Sequence, residues 1–179
     1  KKRKPKDGLP RRPLRSPNDP VYLGITAAIR RHGPEVIEKT VRTLTQSQET
    51  QDLELACVLG AQLTPSPKTG DLLLKACGES QDIYVGHTCA GALMQPAMQP
   101  ARYQAYFTKL LKSKHASLRI IAIDALALCP DVNRYQAYSG IFEKGDEPAV
   151  LTVAIEQLLS APGKHVPKQR IGAYLASAM

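Results

Sequence analysis

The sequence predicts an all-α fold: a stack of about five antiparallel helix pairs that repeat every 32–33 residues. Three observations carry this. From Val21 onward apolar residues recur at i, i+3, i+4 and i+7, and Gly or Pro interrupts every dozen residues or so. One set of apolar columns returns in five segments. No pair of strand-like runs is joined by a two-residue turn. Composition agrees, because the chain has no Trp and only two Phe. Ala, Leu and Ile supply the packing, which suits closely approaching helices better than a sheet sandwich.

The first element is an arm, residues 1–19, beginning "KKRKPKDGLPRRPLRSPND". Its prolines fix φ and deny helix hydrogen bonds, so it is expected to be extended, and disordered unless bound. Residues 1–20 hold eight of the 24 Lys/Arg and two of the 16 Asp/Glu, a net +6 out of the total +8. The other 159 residues are therefore close to neutral, and the alkaline character belongs to the arm. The second unit, residues 20–179, is the helical repeat domain, long enough for one sizeable core.

Its helices are expected at 20–32, 35–46, 51–63, 70–78, 83–95, 101–113, 117–129, 133–144, 148–160 and 167–177. "NDP" precedes the first. "GP" opens the second, with Pro34 at the first position, and "DEP" opens the one at 148. No run of 18 apolar residues exists, so no membrane span is expected.

The columns are explicit. Leu118, Ala122, Ala125 and Leu126 correspond to Val150, Ala154, Gln157 and Leu158 downstream. Upstream they correspond to Val85, Cys89, Ala92 and Leu93, to Leu53, Cys57, Gly60 and Ala61, and to Val21, Ile25, Ala28 and Ile29. The third column is small except at Gln157. A pair of about 32 residues cannot bury its apolar face alone, whereas stacking the next pair buries it. The intervening helices are then the outer ones. Two of them share a pentapeptide, Arg102-Tyr103-Gln104-Ala105-Tyr106 and Arg134-Tyr135-Gln136-Ala137-Tyr138.

The segment "ASLRIIAIDALALCPD" resembles the second helix of a HEAT repeat of the short bacterial type. Leu118, Arg119, Ala122, Ala125 and Leu126 carry the match. "EPAVLTVAIEQLL" fits less well, with Thr152 near where a basic residue would serve. "QDIYVGHTCAGAL" and "TQDLELACVLGAQL" keep the apolar columns and lack the Arg. The resemblance covers residues 19–177. It implies a right-handed α-solenoid with a concave inner face, and it implies no reaction. Tetratricopeptide signatures appear only in scattered pieces. RNA-reading repeats are disfavoured by the near-neutral body.

No catalytic constellation emerges. His32, His87, His115 and His165 are scattered and none is followed by Glu. The His-Glu pairs of iron-binding HEAT-repeat hydroxylases are thus missing, as are the Trp and basic groove of HEAT-like DNA glycosylases. There is no Gly-rich phosphate loop and no G-x-S-x-G. Cys57, Cys77, Cys89 and Cys129 form no C-x-x-C pair and lie near no metal-type His spacing. They read as small buried hydrophobes, and neither a metal nor a cofactor site is expected.

Partner binding is where the residues point. The arm offers Lys1, Lys2, Arg3, Lys4, Lys6, Arg11, Arg12 and Arg15. The outer helices offer Tyr103, Tyr106, Tyr135 and Tyr138, which either cement outer to inner helices or form an exposed tyrosine patch. The inner helices offer Arg119, and Asp124 with Glu156 at one repeat position. The two acids are either solvated or an acidic rung for a basic partner.

The expected function is a non-enzymatic protein–protein scaffold or adaptor within a larger assembly. Nucleic-acid or anionic-surface binding through the arm is the alternative. An accessory subunit of a HEAT-like lyase comes third, on fold analogy alone. A cytoplasmic location is the default expectation. The two basic clusters also resemble a nuclear signal, and a start at Lys1 also fits a processed, lipid-anchored envelope protein.

Overall fold

The computed structural model describes residues 20–160. Those residues form nine α-helices and no strand. They are α1 (Pro20–Ile29), α2 (Pro34–Leu44), α3 (Thr50–Leu63), α4 (Pro67–Cys77), α5 (Ile83–Leu93), α6 (Gln104–Leu110), α7 (Ala116–Ala127), α8 (Arg134–Lys144) and α9 (Pro148–Leu159). The basic arm, and with it Lys1, Lys2, Arg3, Lys4, Lys6, Arg11, Arg12 and Arg15, lies outside the described residues, as does the helix expected at 167–177.

Local chemistry sets most of the starts. Proline occupies the first position of α2, α4 and α9, where its missing N–H costs nothing. Ser66 accepts from the Thr69 N–H, Asp82 from the N–H groups of Tyr84 and Val85, and Asn133 from that of Gln136. The Ser66–Pro67 start brings α4 in three residues ahead of the expected 70–78. The helix expected at 101–113 shrinks to the seven residues of α6. Ahead of it run two 3-10 turns, Pro96–Met98 and Pro100–Tyr103, joined at Gln99 with φ 59°. Two prolines and a left-handed residue in five positions interrupt the α-helical ladder.

Contacts link mostly neighbouring helices. α1 touches α3, α3 touches α5, α5 touches α7, and α7 touches α9. α2 lies against α3, α4 against α3 and α5, α6 against α7, and α8 against α7 and α9. The five helices that carry the repeating columns are the odd-numbered ones. Val85, Leu118 and Val150 are buried, as are Cys57, Cys89, Ala122 and Ala154, and Leu93, Leu126 and Leu158. The pattern weakens at α1, where Val21 is 53% exposed and Ala28 is also exposed.

Polar contacts tie the elements together. Arg134 donates to the carbonyls of Ala127, at 2.6 Å, and Gln157, at 3.1 Å, which lie at the C-terminal ends of α7 and α9. Those carbonyls have no partner within their own helices, and a cation there is favoured. Exposed ion pairs join the helix and turn segments of the even-numbered row: Lys68 with Glu38, Arg102 with Asp71, and Lys109 with Glu79. Each contributes little to stability.

Tyr103 shows how tight the fit is. Its hydroxyl donates to the Pro67 carbonyl at 3.1 Å, and its ring end presses on Gly70 of α4. A Cβ at Gly70 would overlap the Tyr103 hydroxyl and lie 2.8 Å from its Cζ. Gly70→Ala is therefore expected to destabilise by about 1–3 kcal/mol despite Ala's better helix propensity. Urea denaturation checks this, and adding Tyr103→Leu should return part of the loss. A neutral or stabilising Gly70→Ala would show that the contact yields freely.

Candidate functional site

A half-exposed stripe runs in register across three consecutive odd-numbered helices. On α5 it is Tyr84, His87, Thr88 and Gly91, spaced i, i+3, i+4, i+7. On α7 the same repeat positions are Ser117, Ile120, Ile121 and Asp124. On α9 they are Ala149, Thr152, Val153 and Glu156. All twelve reach solvent to some degree, while the opposite faces of these helices are buried. On α3 the equivalents of Thr88 and Gly91 are Ala56 and Leu59, both 0% exposed, so the stripe ends there. The surface mixes apolar side chains (Ile120, Ile121, Ala149, Val153) with polar ones (Tyr84, His87, Thr88, Ser117, Thr152), and two carboxylates stand at one edge. Burial lowers the pKa of His87, which favours its neutral form.

Asp124 and Glu156 sit at matching positions, as their spacing implies, in different surroundings. Asp124 accepts a hydrogen bond from Gln157 Nε2 at 2.9 Å. That contact accounts for the one large residue in the small column: Gln157 on α9 reaches α7. Burial raises the Asp124 pKa, Gln157 opposes this, and the Glu156 charge adds to it. Glu156 is exposed.

The other inner-helix candidate is withdrawn from the surface. The Arg119 side chain is 10% exposed. It donates to Asp146 Oδ1 at 2.6 Å, Glu147 Oε1 at 3.1 Å and the Ser113 carbonyl at 2.7 Å. It clamps α7 to the segment that opens α9, and its guanidinium is spent on these internal contacts.

The tyrosines divide likewise. Tyr103, Tyr106 and Tyr138 are 2%, 7% and 0% exposed, so they cannot form an exposed patch. Their hydroxyls donate to the carbonyls of Pro67, Gly86 and Ile123. Burying these rings removes large aromatic area from water, and each hydroxyl then needs the carbonyl it reaches. Tyr135 is half-buried and packs on the core edge.

One cluster escaped the sequence reading. Cys57 of α3, Cys77 at the end of α4 and Cys89 of α5 are all buried, with their sulfurs within 4.8 Å of one another. The Cys57–Cys77 Sγ separation is 3.7 Å. Hydrogen bonding from Cys57 and then Cys89 holds the Cys77 thiol below its ordinary pKa against the effect of burial. Cys77, Cys89 and burial push Cys57 well up. Tyr106 adjoins the group, and burial and the Cys89 thiol raise its hydroxyl. The signal was in the repeat: Cys57 and Cys89 share one column, which stacking brings side by side. Cys129, also buried, stands apart from this group.

A cleft of about 440 Å³ has Gly78, Gly86, Tyr106, Lys109, Lys112 and His115 in its wall, and none of the three cysteines. No described helix is long and apolar enough to cross a membrane. Compared with protein-family models, curated proteins and solved structures, the chain matches none.

Proposed function

We propose that the chain is a short, right-handed HEAT-like α-solenoid that works as a non-enzymatic scaffold or adaptor within a larger assembly. The in-register stripe on α5, α7 and α9 is the observation that carries this reading. A repeat whose solvent-reaching positions align over successive helices offers one continuous surface. Its residues include Ile120, Ile121 and Val153, with Asp124 and Glu156 alongside, which suits a partner of apolar and basic character. The basic arm adds a second, weaker contact, and linkage of two weak sites raises avidity.

The test is retention of a host protein by three forms: the full chain, the chain without residues 1–15, and an Ile121→Glu/Val153→Glu variant. The scaffold reading expects one protein retained by the first two and lost by the third, with helicity unchanged. A second reading, anionic-polymer binding through the arm, rests on the net +6 of residues 1–20. It expects binding that collapses with salt and disappears in the truncation. That result, with no effect of the face variant, would overturn the scaffold reading.

A further inference from the structure

Three cysteines far apart in the sequence meet in the core, each from a different helix. We infer that Cys57, Cys77 and Cys89 form a binding site for one soft, thiophilic metal ion, and that monovalent copper is the ion whose chemistry fits it.

Geometry comes first. A metal bound by three sulfurs at about 2.3 Å, lying in their plane, needs those sulfurs about 4 Å apart. The cluster has every pair within 4.8 Å and one pair at 3.7 Å. Bringing every pair to that spacing requires side-chain shifts of less than about 1 Å.

Ligand number and donor softness then select the ion. Structural zinc takes four protein ligands. Among the described residues the group holds three, with no His, Asp or Glu as a fourth. Copper(I) favours soft thiolate donors and does not require a fourth ligand. A cysteine that ligates does so as the thiolate, so each one loses its S–H proton. Binding then follows n Cys–SH + Cu⁺ → Cu(S–Cys)n + n H⁺, with n of two or three and a charge of 1−n on the complex. No electron is transferred.

Gly78, next to Cys77, and Tyr106, next to Cys89, stand in the wall of the cleft described above. The ion would join α3, α4 and α5, so binding would stabilise the fold by mass action.

The reduced full-length chain is titrated anaerobically with copper(I) held by a competing chelator. Expected are one copper per chain by native mass spectrometry, about two to three protons released per ion, sulfur-only coordination by X-ray absorption, and a raised Tm. Cys77→Ser and Cys89→Ser should each weaken binding at least tenfold and remove the Tm rise, whereas Cys129→Ser should leave both unchanged. Ser keeps the size and loses the soft donor, so loss of copper in a variant with native far-UV circular dichroism is loss of the site. Failure of the wild type to take copper from the chelator would overturn the inference. So would equal copper affinity in Cys77→Ser, or preferential binding of zinc. None of these outcomes depends on partner binding.

Discussion

Arg119→Met is expected to lower stability by about 3 kcal/mol or more, the cost of breaking a buried charge pair on one side. The change leaves Asp146, whose side chain is 15% exposed, without its cation. It also strips the Ser113 carbonyl of its 2.7 Å donor. Arg119→Lys should recover only part. A lysine supplies the charge but not the planar fork that reaches two carboxylates and a carbonyl together. In the Arg119→Met background, Asp146→Asn should return stability, because the orphaned charge is then gone. Urea denaturation of the four proteins measures this. An Arg119→Met variant within about 1 kcal/mol of the parent would place Arg119 among the weak surface pairs.

The duplicated pentapeptide yields the second large effect. Tyr106→Ala and Tyr138→Ala are each expected to cost about 3–5 kcal/mol, the range for emptying a buried aromatic site. Tyr135→Ala should cost about 1 kcal/mol, since that ring is half-exposed. Tyr106→Phe and Tyr138→Phe isolate the hydroxyls and should cost about 1 kcal/mol each. The split tests whether the repeat is structural. Were Tyr106→Ala to leave thermal stability intact while abolishing partner binding, the pentapeptide would be a recognition element after all.

Much of the fold was legible because it is locally encoded. The 3.6-residue periodicity named the helices, and Pro34 and Pro148 marked two starts. The 32–33-residue columns identified which helices touch, since α1, α3, α5, α7 and α9 contact in succession. The boundaries failed where two signals competed. The helix expected from 101 starts only at Gln104, because Pro100–Tyr103 is drawn into a 3-10 turn that follows the left-handed Gln99. Periodicity averages over a window, whereas a missing N–H acts at one position.

The candidate sites were less legible. Asp124 and Glu156 matched in sequence position, yet only the structure distinguishes the one bonded to Gln157 from the exposed one. Arg119 looked like a surface contact and is an internal clamp. Sequence reading sought cysteine pairs at local metal spacings, and Cys57, Cys77 and Cys89 have none.

By itself, then, the sequence determined the helical class and which apolar positions of α5, α7 and α9 are buried, both of which follow from backbone periodicity and the burial that periodicity demands. Tertiary structure alone decided which polar side chains are spent inside, and that three thiols converge. Those outcomes depend on which residues of different helices become neighbours, and that is fixed by helix packing at ångström scale rather than by spacing along the chain.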